Sequence, residues 1–91
     1  MEYEWDEGKA EANYAKHGVR FESIEAFDWG TALIEEDTRF DYGEVRYRAL
    51  GFIGPRLHTV IFTVRSPRIR LIGMRKSNRR EQRYYDRKTQ T

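Results

Sequence analysis

From Val45 onward, apolar and polar residues alternate through three runs, residues 45–53, 57–64 and 69–74, and the turn-forming pairs Gly54-Pro55 and Ser66-Pro67 separate them. A period of two sends successive side chains to opposite faces, so this half of the chain suits strands with one buried face. With an even number of residues in each hairpin connection, Val45 faces Val64, Tyr47 faces Phe62 and Ala49 faces Val60. Beyond the second turn, Val64 faces Ile69 and Phe62 faces Leu71. One face is then apolar. The other gathers Arg46, Arg48, Thr63, Arg65, Arg68 and Arg70, interrupted by Leu50, Ile61 and Ile72. An odd connection would reverse a strand and scatter these arginines, so the reading depends on register.

The first half follows different rules. Asp6 is a good N-cap, the run Glu7 to His17 contains helix formers, and Gly18 supplies a stop, which predicts a first short helix. Phe21, Ile24, Ala26 and Phe27 recur at helical spacing and predict a second, weaker helix ending near Trp29-Gly30. Residues 31–34 read as a short strand, and residues 35–43 as an exposed polar connection. Residues 77–88 predict a basic C-terminal helix, with Asn78-Arg-Arg-Glu81 as a capping box and Glu81 and Tyr85 one turn apart. The expected architecture is α+β: two N-terminal helices over one face of a mostly antiparallel sheet of four to five strands, then a C-terminal helix. At 91 residues, without repeats or a linker, the chain should form a single domain, 1–91.

Several functional classes are disfavoured. The chain has no cysteine, hence no disulfide framework, thiolate cluster or cysteine nucleophile. It contains nothing near the roughly 20 consecutive apolar residues of a membrane helix. Its acidic start is unlike a signal peptide, so a cytoplasmic location without membrane partners is expected. His17 and His58 lack ligand spacing, so no metal is expected. Gly-rich nucleotide loops and nucleophile-elbow glycines are missing, and no cofactor is expected. No helix-turn-helix or zinc-finger pattern favours a DNA reader.

Charge is sharply divided. Residues 1–44 carry 4 basic and 13 acidic side chains, a net −9, whereas residues 45–91 carry 13 and 2, a net +11. A block rich in arginine suits a polyanion, because guanidinium groups grip phosphate in a bidentate fork and release its counterions. An acidic partner protein fits as well, and the two halves could equally attract each other within the fold.

A basic, aromatic-edged sheet face suits cleavage of RNA without metal. The ribose 2′-hydroxyl is the nucleophile, so the protein needs to align it, move protons and stabilise charge on phosphorus. His17 and Glu44 or Glu81 could exchange protons, and Tyr85 could stack on a base or donate a proton. Structural roles compete. His17 would be favoured as a cation by the helix C-terminus, Glu44 would pair with Arg46, and Tyr47, Trp5 and Trp29 suit the core.

Taken in order, certain residues form a recognisable series: Glu4-Trp5-Asp6 with Lys9 and Asn13; Lys16-His17-Gly18-Val19 with Phe21; and Asp37 leading to Gly43-Glu44 and Arg46. Gly51, Thr63 with Arg65, the run from Arg70 to Arg75, and Glu81 with Tyr85 follow. Across roughly residues 3 to 86, the chain resembles the BrnT toxin family of type II toxin-antitoxin modules. The resemblance implies a small, metal-free, RelE-like ribonuclease toxin that inhibits translation, neutralised by a BrnA-like antitoxin. Operator DNA would be a partner only through the toxin-antitoxin complex.

Family motif positions fall on Lys16, His17, Glu44, Arg46, Thr63, Arg65, Arg70, Arg75, Glu81 and Tyr85. On this reading Arg65, Arg70, His17, Glu44 and Tyr85 are catalytic, while Lys16, Arg46, Arg48, Arg75, Arg79 and Glu81 hold RNA. Gly73-Met74 stands where the family often shows Ser-Ala, and Phe40 where a histidine is frequent, which would alter the site if either position belongs to it. The alternative expectation is a non-catalytic basic module for an acidic protein or nucleic acid.

Overall fold

The computed structural model describes residues 1–90. Asp6 accepts a hydrogen bond from the Lys9 N–H and opens helix α1 (Glu7–His17), which Gly18 closes in the left-handed region at φ 70°. Asn78 and Glu81 form the expected reciprocal capping box at the start of α2 (Arg79–Thr89). Neither helix is long and apolar enough to cross a membrane.

The second N-terminal helix does not form. In its place are two 3₁₀ segments, Phe21–Ala26 and Trp29–Thr31. The spacing explains the correction: Phe21, Ile24 and Phe27 are buried, whereas Ala26 is exposed. An apolar repeat of three fits a helix with three residues per turn and would drift around an α-helix.

Five strands form one sheet in the order β1-β5-β4-β3-β2, with β1 (Glu2–Glu4), β2 (Leu33–Glu36), β3 (Tyr47–Ile53), β4 (Arg56–Arg65) and β5 (Arg68–Lys76). β1 runs parallel to β5, and the other pairs are antiparallel. The expected pairs Tyr47 with Phe62, Ala49 with Val60, Phe62 with Leu71 and Val64 with Ile69 are all present. The strand expected at residues 31–34 lies two residues later, after the second 3₁₀ segment.

A bulge interrupts the β4–β5 ladder. Phe62 pairs with Leu71, yet Ile61 pairs with Gly73, leaving Ile72 without a partner. Unbroken alternation would place Arg75 on the same face as Leu71. The extra residue reverses the parity, so Met74 enters the core and Arg75 emerges on the opposite face.

The main core lies between one sheet face and the N-terminal segments, where Val19, Phe21, Ile24 and Phe27 meet Ala49, Val60, Phe62, Leu71 and Met74. Trp29 is wedged edge-on between Phe27 and Phe62. A smaller cluster, Leu50, Leu57 and Tyr85 with Leu33, Phe52 and Tyr84 against it, joins α2 to the other face. On the main-core side, Gly51 lets Phe27 lie close against the sheet: a Cβ there would lie 2.5 Å from the Phe27 ring.

Candidate functional site

α2 covers only one end of the second sheet face. Strand pairing lays out the rest as successive rows. Leu33, Leu50, Thr59 and Arg75 form a row at the covered end. Glu35, Arg48, Ile61 and Gly73 form the next. Thr63, Arg70 and Glu4 follow, and Arg65, Arg68 and Glu2 lie at the far end. Arg48, Arg65, Arg68 and Arg70 thus share a face as the alternation requires, and the bulge adds Arg75.

The face is nevertheless largely charge-balanced. Glu35 holds Arg48 at 3.4 Å, Glu4 holds Arg70 at 2.7 Å, and Glu44 holds Arg46 at 3.3 Å and Arg65 at 3.5 Å. The acidic first half therefore supplies partners to the basic second half. These pairs are partly solvated, and such exposed contacts contribute little, so a phosphate can compete for the same guanidinium. Arg65 is the loosest, with 52% of its side chain exposed. Arg65 and Arg68 lie directly opposite each other on adjacent strands, an arrangement of like charges that disfavours the sheet and favours an anion between them.

Arg46 precedes β3 and stacks on the Tyr42 ring at 4.2 Å. With Glu44 it borders a hollow of about 350 Å³ formed by loop 36–46. This loop is pinned by Asp37, which accepts from Arg39 and Tyr42; the Arg39 contact is the main cause holding its carboxyl down to about 2. Burial pushes Glu44 up, but hydrogen bonds from Arg46 and Arg65 leave it below the ordinary glutamate range.

At the covered end, Arg75 forks onto Glu81 through bonds of 2.8 and 2.9 Å. Glu81 also accepts from the Asn78 N–H as the capping-box carboxylate. Burial raises its pKa, while Arg75 and Asn78 more than offset that and hold it low. His17 and Lys16 end α1 beside Ile72, in a shallow hollow of about 230 Å³. Desolvation, followed by the charges of Lys16 and Arg75, lowers the His17 pKa and so favours its neutral imidazole. The helix C-terminus does not prevail here.

Tyr85 and Arg79 fall elsewhere. Tyr85 is buried, edge-on to Phe52, and its hydroxyl donates to the Thr31 carbonyl at 2.7 Å. Arg79 is exposed in the first turn of α2. The structure thus brings together Lys16 and His17 on α1; Arg75 with Glu81; Arg46, Glu44 and Arg65; and Arg70 with Glu4. Met74 is a core residue, whereas Phe40 is exposed beside Tyr42. Among the described residues, no group of three His, Asp or Glu side chains could hold a metal ion.

One residue was missed. The half-buried Tyr84, not Tyr85, offers its ring to a cleft of about 220 Å³ between α2 and β3. Its position three residues after Glu81 puts it on the flank of the helix stripe that Glu81 and Tyr85 define, a signal the sequence carried.

These features define a small α+β protein with an arginine-bearing sheet face and a cationic helix. The family model described as "Ribonuclease toxin, BrnT, of type II toxin-antitoxin system" matches residues 5–81 of the chain. The chain belongs to that family, and the ribonuclease toxins of such systems act on RNA and have an antitoxin protein as partner. A search of curated proteins found no match.

Proposed function

We propose that this toxin is an endoribonuclease that cleaves RNA through the substrate's own 2′-hydroxyl, without a metal ion, and thereby inhibits translation. The observation carrying this reading is the juxtaposition of Arg65, Arg68 and Arg70 on adjacent strands of one face. Arg65 and Arg70 stabilise charge on the reacting phosphate, displacing Glu44 and Glu4, while Arg46, Arg48 and Arg75 hold the flanking chain. His17, whose pKa is lowered, is suited to accept a proton, and Glu44, once released from its arginines, to exchange one. Tyr85 acts as positioning support for α2. The Arg65→Ala/Arg70→Ala double variant should fold, as read by circular dichroism, yet lose growth arrest. Full toxicity of the folded variant would reject the assignment.

A second reading is favoured by the carboxylates already seated on the arginines: the same face receives an acidic segment of a BrnA-like antitoxin, which carries the complex to operator DNA. The two readings are compatible, since an inhibitor covering the active face neutralises it. Incubation of the purified protein with RNA in EDTA separates them, because cutting supports the enzyme and binding without cutting supports the docking module alone.

A further inference from the structure

The cleft between α2 and β3 combines an aromatic ring with convergent cations. The Arg48 guanidinium lies 5.7 Å, the Arg87 guanidinium 5.9 Å and the Lys88 ammonium 5.7 Å from the centre of the Tyr84 ring. Arg80 and Glu81 complete the lining, and Glu81 is already engaged by Arg75. Among the described residues, Arg80, Arg87 and Lys88 form no ion pair, whereas Arg48, Arg65, Arg70 and Arg75 of the sheet each hold a glutamate. The Tyr84 hydroxyl donates to Glu35 at 2.6 Å, and Glu35 also holds Arg48, so ring and guanidinium are fixed before anything binds.

We infer that this cleft is a nucleotide subsite, in which one base of single-stranded RNA lies against Tyr84 and the adjoining phosphates are held by Arg48, Arg80 and Arg87. An acidic peptide would use the cations but has no need of a flat ring. Unpaired bases use both, because they stack on aromatic side chains and guanidinium planes. At about 220 Å³ the cleft is below the roughly 300–1,000 Å³ typical of pockets for drug-sized ligands, which suits a single base with the chain running out of it. Arg48 stands two residues, roughly 7 Å of strand, from the level of Thr63 and Arg70, so a strand anchored here leads onto the arginine rows. The inference deepens the nuclease reading and rests on it for the identity of the ligand.

The test uses a mixed-sequence ten-nucleotide 2′-O-methyl RNA, which lacks the nucleophile and cannot be cut. Tyr84→Leu should weaken its binding roughly 5- to 150-fold, the range for losing one stacked base, and Tyr84→Phe, which keeps the ring, should restore it. Arg80→Gln/Arg87→Gln, on the exposed side of α2, should weaken binding and lower the slope of log affinity against log salt by about 1.4. Wild-type affinity in folded Tyr84→Leu, or an unchanged salt slope in the arginine double variant, would overturn the subsite. So would a glutamate-rich decapeptide that shifts the Arg48, Arg80 and Arg87 side-chain NMR signals where the oligonucleotide does not. Cleavage of ordinary RNA by the wild type, measured in parallel, keeps the two claims apart. Cutting with Tyr84-independent binding sinks the subsite alone, whereas Tyr84-dependent binding without cutting supports the subsite and sinks the nuclease.

Discussion

Beyond its three paired residues with β1, the outer edge of β5 meets helix α1, and Asn13 takes the place of a strand there. Its side-chain amide donates to the Met74 carbonyl at 2.7 Å and accepts from the Met74 N–H at 3.1 Å, and it also donates to the Val19 carbonyl. Asn13→Ala leaves buried backbone groups unsatisfied and should cost about 1–3 kcal/mol in urea unfolding, a larger loss than an exposed α1 site such as Ala12→Ser shows. Gly51→Ala drives a methyl into Phe27 and should likewise cost about 1–3 kcal/mol by the same measurement. His17 supplies a pH test. Lys16 and Arg75 reinforce the desolvation that lowers its pKa, so Arg75→Gln should raise the midpoint of the His17 ring-proton NMR titration. An unchanged midpoint would remove Arg75 from its surroundings. Asn13 and Gly51 stood out in the sequence as family motif pieces, but their contacts cross the fold and were not legible there.

At the level of elements, local rules were readable and non-local ones were not. Asp6, Gly18 and the Asn78–Glu81 box mark helix ends through bonds within a few residues, and both helices form where those signals place them. Three strands and their central pairs followed from alternation. The 3₁₀ segment was missed because a run of buried residues three apart satisfies an α-helical template over so short a stretch. β1 was missed because three residues cannot signal a strand without the β5 edge that receives them. The bulge at Ile72 was invisible for the same reason, and it decides the face of Arg75 and thus the fork onto Glu81. That fork has a measurable signature. Glu81 has a folded pKa below its ordinary value of 4.5, so its contribution to stability is full above that value and is lost as pH falls through the depressed one. The stability difference between wild type and Glu81→Gln should be constant from pH 6 to 8 and shrink in acid; a difference growing in acid would contradict the pairing.

Across the whole molecule, the division of charge along the chain serves two ends. The acidic half neutralises much of the sheet face through Glu4, Glu35 and Glu44, while α2 keeps Arg80, Arg83, Arg87 and Lys88 without ion pairs among the described residues. Internal attraction between the two halves is thus present on the sheet face, while the cations of α2 stay available for the polyanion of the proposed reading. The most direct measurement of the central claim is mass spectrometry of the RNA ends left by the purified toxin in excess EDTA. Cleavage through the 2′-hydroxyl on an arginine-lined face predicts 2′,3′-cyclic phosphate and 5′-hydroxyl ends, absent with the folded Arg65→Ala/Arg70→Ala variant. Products with 5′-phosphate and 3′-hydroxyl ends, formed only when a divalent metal is restored, would contradict it.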